Sequence, residues 1–92
     1  MHSFLIHNQG DDVAVAVRDV AEGTDALAVA MDTGTDVAVT TRNPIPLGHK
    51  VALRDIPKGT EVHKYGIRIG STTNDIVVGD HVHTHNLRST RW

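Results

Sequence analysis

Three histidines at alternate positions near the end of the sequence are the residues best suited to chemistry. His81, His83 and His85 are separated by single residues. On an extended strand, side chains at alternate positions share one face and stand roughly 6–7 Å apart, whereas a helix would splay them around its axis. Two imidazoles at that spacing can converge on one divalent ion or on one anionic substrate group. We therefore predict that residues 81–85 form a strand with an imidazole face.

The histidine pattern by itself leaves the ligand of this face open. A closed metal site needs three or four ligands, and such a strand supplies at most two that are well placed. Any metal would therefore occupy an open site, or one that a partner chain completes. His85 and Asn86 could instead bind a carboxylate or hydroxyl group directly. The simplest alternative is an exposed polar strand face that binds nothing.

Two further segments carry side chains that could bind an anion. His49 follows a bend containing two prolines, where a supported loop often carries function, although its ring could also just satisfy loop carbonyls. Lys64 could bind an anion or transfer a proton, and the alternative is a solvated lysine. Tyr65 is equally consistent with a core aromatic whose hydroxyl reaches the rim.

The composition predicts one β-rich domain spanning residues 1–92. Aromatic residues make up only 3% of the chain, so the core rests on aliphatic side chains, and the abundant valine favours strands. The absence of cysteine excludes disulfides and thiolate chemistry and fits a cytoplasmic protein. A net charge of −2 gives no electrostatic argument for nucleic acid binding. No apolar run approaches the ~20 residues of a membrane helix.

Turn-forming residues divide the chain into short predicted strands. Apolar or alternating runs cover residues 3–7, 13–17, 26–31 and 37–41, with a hairpin turn over 32–36. These runs predict an antiparallel meander over residues 1–41. The prolines within residues 43–49 exclude a central strand there, and residues 87–92 are expected to form a short tail.

A six-residue pattern recurs at Asp19, Asp55 and Asp75. Each copy has an aspartate, a branched apolar residue, two variable residues, a glycine and a polar residue. The aspartate can cap the turn, the glycine can adopt a positive φ, and the branched residue can anchor the turn in the core. The copies are unequally spaced, which excludes a solenoid. The pattern therefore predicts one type of corner, used repeatedly in a single β fold.

An ordered set of motifs across residues 44–88 resembles the SAF domain of the altronate/galactarate dehydratase family. The set comprises Pro46–Gly59, Lys64–Gly66, Ile69–Gly70 and His81–Asn86. The resemblance implies a β-clip fold of short antiparallel strands and hairpins. Because the chain stops at residue 92, it resembles the stand-alone small subunits of the family. Among these, the small subunits of sulfolactate sulfo-lyases are more similar than those of altronate-type dehydratases.

The same resemblance implies a lyase that is inactive without a large catalytic subunit. Such enzymes remove a proton beside a carboxylate and eliminate sulfite or water, and a divalent metal, commonly Fe2+, is associated with them. We expect the large subunit to hold most of the metal ligands and the proton-abstracting base. A domain this small could not enclose such a substrate alone. A non-catalytic module that binds a sugar acid is the alternative.

We expect one edge of the domain to carry the site. His83, His85 and Lys64 are the predicted catalytic residues, and the two histidines are also the predicted metal contacts. The predicted substrate-binding residues are His49, Tyr65 and Asn86. These assignments combine the resemblance with the chemistry of imidazole, ammonium, phenol and amide groups.

Overall fold

The computed structural model describes residues 2–8, 10–64 and 67–89, and within these ranges it contains nine short β-strands. The strands are β1 (Phe4–Ile6), β2 (Val13–Ala16), β3 (Asp25–Ala30), β4 (Asp36–Thr40), β5 (Lys50–Ala52), β6 (Glu61–Lys64), β7 (Ile67–Thr72), β8 (His81–Val82) and β9 (Leu87–Ser89). No helix among the described residues could cross a membrane. The predicted all-β class is confirmed.

The strands form a six-stranded sheet in the order β4-β3-β1-β2-β5-β8 and a three-stranded sheet in the order β6-β7-β9. Strands β1 and β3 are parallel, with Leu5 paired to Val29, so the antiparallel meander predicted for residues 1–41 is wrong. The predicted hairpin of β3 and β4 is confirmed. The predicted tail contains strand β9, which pairs with β7.

The repeated corners meet in pairs through their branched apolar residues. Ile56 and Ile76 form one isolated antiparallel bridge, and Val20 forms another with Ile45. Ile45 belongs to a fourth corner that the sequence pattern did not include, because Pro44 stands there in place of the aspartate. All four bridging side chains are buried, so each pair anchors two turns in the core.

Each corner aspartate caps the turn of the partner corner and not its own turn. The backbone N–H groups of Val78, Lys58 and Leu47 donate to Oδ1 of Asp55, Asp75 and Asp19, over 2.9, 2.8 and 2.8 Å respectively. The predicted capping role is therefore right in its chemistry and wrong in its partner. This exchange of hydrogen bonds fixes how the turns stack.

Two apolar clusters of small and branched side chains fill the interior. One contains Phe4 and lies within the large sheet, and the other contains Val13 and Val62 and lies between the two sheets. Asp12 is buried beside this second cluster. Its carboxylate pairs with Arg54 Nε at 2.7 Å and accepts the His63 backbone N–H at 2.8 Å. Asp12 therefore ties the large sheet to the small one.

Candidate functional site

The predicted strand over residues 81–85 is mostly a turn. Strand β8 ends at Val82, and residues 83–86 turn back towards β9. The side chain of buried Asn86 causes the reversal, because its Oδ1 accepts the His83 N–H at 2.9 Å and its Nδ2 donates to the His81 carbonyl at 2.8 Å. Asn86, predicted to bind substrate, therefore uses its amide to shape the backbone that carries the histidines.

The imidazoles cluster in spite of this turn. Strand β8 pairs with β5, with Lys50 opposite Val82, and one further step of that register places His49 opposite His83. The ring centroids of these two histidines are 4.3 Å apart, with the planes inclined by 25°. The ring centroid of His81 lies 5.1 Å from that of His49 and 5.5 Å from that of His83. Cross-strand pairing, and not alternation along one strand, builds the cluster.

Three of these rings place nitrogen atoms close together. Nδ1 of His49 and Nε2 of His81 are 2.9 Å apart, and one ligand atom from each of His49, His81 and His83 lies within 4.8 Å of the other two. Two nitrogens bound to one ion at about 2.1 Å are separated by about 3.0 Å at a right angle and by at most about 4.2 Å. The set therefore fits one metal ion after a modest rotation of the rings, which the exposure of His83 permits.

His85, the other predicted metal contact, lies at the edge of this cluster. Its ring centroid is 5.3 Å from that of His81, with the planes tilted by 39°. His85 is exposed and is not a member of the set of three close nitrogens. Its position suits a direct contact with a bound molecule better than a share in the same metal ion.

Electrostatics favour uncharged imidazoles in the cluster. The pKa of His81 is lowered first by burial and then by His49, His85, His83 and Lys50. The pKa of His83 is lowered by burial, His49, Lys50 and His85. The lowered pKa values favour the neutral form of both groups, which is the form that binds metals.

Two lysines extend the basic surface beyond the histidines. Half-buried Lys50 has a lowered pKa because of burial and the charge of Lys64. Lys64, a predicted catalytic residue, ends strand β6 of the small sheet and also lowers the pKa of His7. The charge of Lys64 therefore acts on Lys50, and the charge of Lys50 acts in turn on His81 and His83. Tyr65, predicted to bind substrate, lies outside the described residues.

Sequence reasoning left two members of the site out of the predicted set. His81 supplies the nitrogen closest to His49, and its backbone N–H donates to Asn43 Oδ1 at 2.9 Å. Lys50 follows His49 directly in the sequence. Both residues lie in the motifs that carry the family resemblance. Their places close to His49 and His83 in the sequence were the signal that could have identified them.

Comparison with known proteins identifies the family. The model of the altronate/galactarate dehydratase SAF domain matches residues 2–90. The chain belongs to this family. The SAF domain is 51% identical over 79 residues to altronate dehydratase of Escherichia coli, a match that covers 86% of the chain and 15% of that protein. It thus spans less than a fifth of the length of that relative.

Two other relatives of the SAF domain match over nearly their whole length. (2R)-sulfolactate sulfo-lyase subunit alpha of Chromohalobacter salexigens is 36% identical over 90 residues, which cover 97% of the chain and 96% of the relative. The protein of the same name from Paracoccus pantotrophus is 44% identical over 66 residues, which cover 72% of the chain and 98% of the relative.

The lowered histidine pKa values predict that the SAF domain loses stability in mild acid. Unfolding returns His81 and His83 to an ordinary pKa near 6.5, so the unfolded chain binds more protons than the folded one as the pH falls below that value. We expect the urea midpoint to be highest above about pH 7 and to fall as the pH approaches 5. In His83→Gln the fall should be smaller. Equal slopes for the two proteins would contradict this explanation.

Proposed function

We propose that this SAF domain is the small subunit of a two-subunit lyase that eliminates sulfite from (2R)-3-sulfolactate to give pyruvate. The chain would contribute one edge of the domain to an active site on a large subunit. This edge carries His49, Lys50, Lys64, His81, His83 and His85. The observation that carries the proposal is the match over 96% and 98% of two relatives, each named as the alpha subunit of a sulfolactate sulfo-lyase.

The chemistry of this substrate explains the kinds of side chain at the edge. A base removes the proton from C2, beside the carboxylate, and the C3–S bond breaks with its electron pair leaving on sulfite. The resulting enol tautomerises to pyruvate. As the C2 proton leaves, negative charge builds up on the oxygens of the carboxylate, so cationic and hydrogen-bonding groups placed there lower the barrier. We assign the base to the large subunit.

The residues of this chain would bind and orient the acid. Lys50 supplies positive charge near the imidazoles, since it lowers the pKa of His81 and His83, and Lys64 adds its charge next to Lys50. His83 and His85 are exposed and can donate to a carboxylate or hydroxyl oxygen. The His49 ring stacks on those of His81 and His83 and would line the same edge. Closing this edge over the large subunit would exclude water from the reacting carbon.

A divalent metal would add to this chemistry. Bound at the interface, an ion such as Fe2+ would polarise the substrate carboxylate. The three close nitrogens of His49, His81 and His83 fit such an ion, and we propose that the large subunit supplies further ligands.

A second candidate function rests on the altronate dehydratase relatives. The identity to the Escherichia coli protein, 51%, exceeds that to either sulfo-lyase subunit. Elimination of water from a sugar acid begins with the same proton abstraction, so the same edge would serve. The short match, 15% of that protein, makes this the weaker candidate.

The test is an assay of the chain purified together with its large subunit. We expect sulfite release from (2R)-3-sulfolactate, measured with a thiol-reactive disulfide dye, in equal amounts to pyruvate. Formation of a keto acid from altronate, without sulfite release from sulfolactate, would support the second candidate instead. Inactivity on both substrates would contradict the proposal.

A further inference from the structure

We propose that His49, His81 and His83 form a metal site belonging to this chain itself, one that binds a divalent transition metal ion before any partner is present. The ligand set differs from the pair expected from sequence, since it includes His49 and His81 and leaves out His85. It is a three-nitrogen site with open coordination positions.

The positions of the three rings are set by the backbone. His49 directly precedes β5, and its carbonyl accepts the Ala16 N–H at 2.9 Å. His81 opens β8, where its N–H is held by Asn43 Oδ1 at 2.9 Å. His83 begins the turn that Asn86 closes at 2.9 Å. The fold therefore fixes the backbone of all three histidines, and only rotation of their rings is needed to bind an ion.

The donor set favours one class of metal. Three imidazoles suit Fe2+, Co2+, Ni2+ and Zn2+, whereas Mg2+ and Ca2+ prefer oxygen ligands. The carboxylate nearest in sequence, Asp80, is engaged elsewhere: it accepts the Val77 N–H at 2.9 Å and pairs with Arg42 at 3.2 Å.

The open positions give the site its place in the proposed function. Three imidazoles leave an ion short of its full coordination, and His83 faces solvent on the exposed side. This part of the inference rests on the proposed function: the open positions would take substrate oxygens or ligands of the large subunit. His85, next to the site, would contact the substrate and not the ion.

Metal titration of the isolated chain tests the inference without any enzyme assay. Chelator-treated protein is titrated with Co2+, followed by its visible absorption bands, and with Zn2+ and Mg2+ by calorimetry. We expect one equivalent of Co2+ or Zn2+ to bind and Mg2+ to give no signal. His83→Ala and His81→Ala should weaken binding at least about tenfold, because even residues behind the ligands have effects of that size. His85→Ala and His2→Ala should bind Co2+ as the unaltered chain does.

Absence of saturable Co2+ and Zn2+ binding would overturn the inference, as would equal affinity for His83→Ala and the unaltered chain. An equal loss in His85→Ala would overturn the ligand set. Circular dichroism of each variant shows whether it is folded. Failure here with sulfite release intact in the complex would remove the metal site and leave the proposed function standing. Metal binding without any lyase activity in the complex would leave the metal site standing and contradict the proposed function.

Discussion

Replacing His83 by alanine is expected to slow turnover of the reconstituted lyase by about a hundredfold while the chain still folds. His83 is exposed, so truncating its side chain leaves no cavity. Its ring stacks on His49 and lies beside His81, at the centre of the edge proposed to face the substrate. Loss of one group that stabilises developing charge typically costs 10²–10³ in rate, about 3–4 kcal/mol.

The control for this experiment is His2→Ala. His2 contacts Asp36 of strand β4, at the opposite edge of the large sheet from β8. We expect its turnover to equal that of the unaltered complex. His85→Ala should also slow turnover, because His85 is proposed to contact the substrate. Steady-state sulfite release measures all three variants, and full activity of His83→Ala would refute the catalytic role of the cluster.

Gly79→Ala is expected to have the largest effect on stability. Gly79 has φ +91°, and an added Cβ would lie 2.1 Å from the Thr40 carbonyl oxygen, which is backbone and cannot rotate away. The left-handed conformation costs a non-glycine residue about 1–2 kcal/mol, and forcing the backbones apart adds about 1–3 kcal/mol. The sum approaches the whole stability of a small domain, about 3–5 kcal/mol. The variant should therefore be largely unfolded at 37 °C.

Gly59→Ala is the matched control because Gly59 occupies the same position in another corner. Its φ is +82°, and an added Cβ would meet no atom within 4 Å. We expect it to cost only the conformational part, about 1–2 kcal/mol. Urea unfolding of both variants separates the free-energy cost of the close contact with Thr40 from the cost of the left-handed backbone conformation. Equal losses would contradict the importance of the contact with Thr40.

The local features of this fold could be predicted from sequence. Glycine after an aspartate and a branched residue marks a corner, and Gly23, Gly59 and Gly79 do have positive φ. The long-range arrangement could not be predicted in this way. The parallel pairing of β1 with β3 joins segments more than twenty residues apart, and no local pattern specifies it.

The strand predicted over residues 81–85 was wrong for a different physical reason. Alternation of His81, His83 and His85 favours a strand, but Asn86 offers the backbone two side-chain hydrogen bonds that only a turn can use. The same turn, with the register of β5 and β8, brings His49 into the site. The residue types indicate which side chains could do chemistry, whereas the grouping of those side chains depends on tertiary pairing.

The central claim is that the chain completes an active site on a larger subunit, and the most direct measurement is sulfite release in three parallel samples. These contain the small chain alone, the large subunit alone and the mixture. We predict activity only in the mixture, saturating at a fixed ratio of the two chains, and its loss when the mixture contains His83→Ala. Turnover by the small chain alone, or undiminished turnover by the large subunit alone, would contradict the claim.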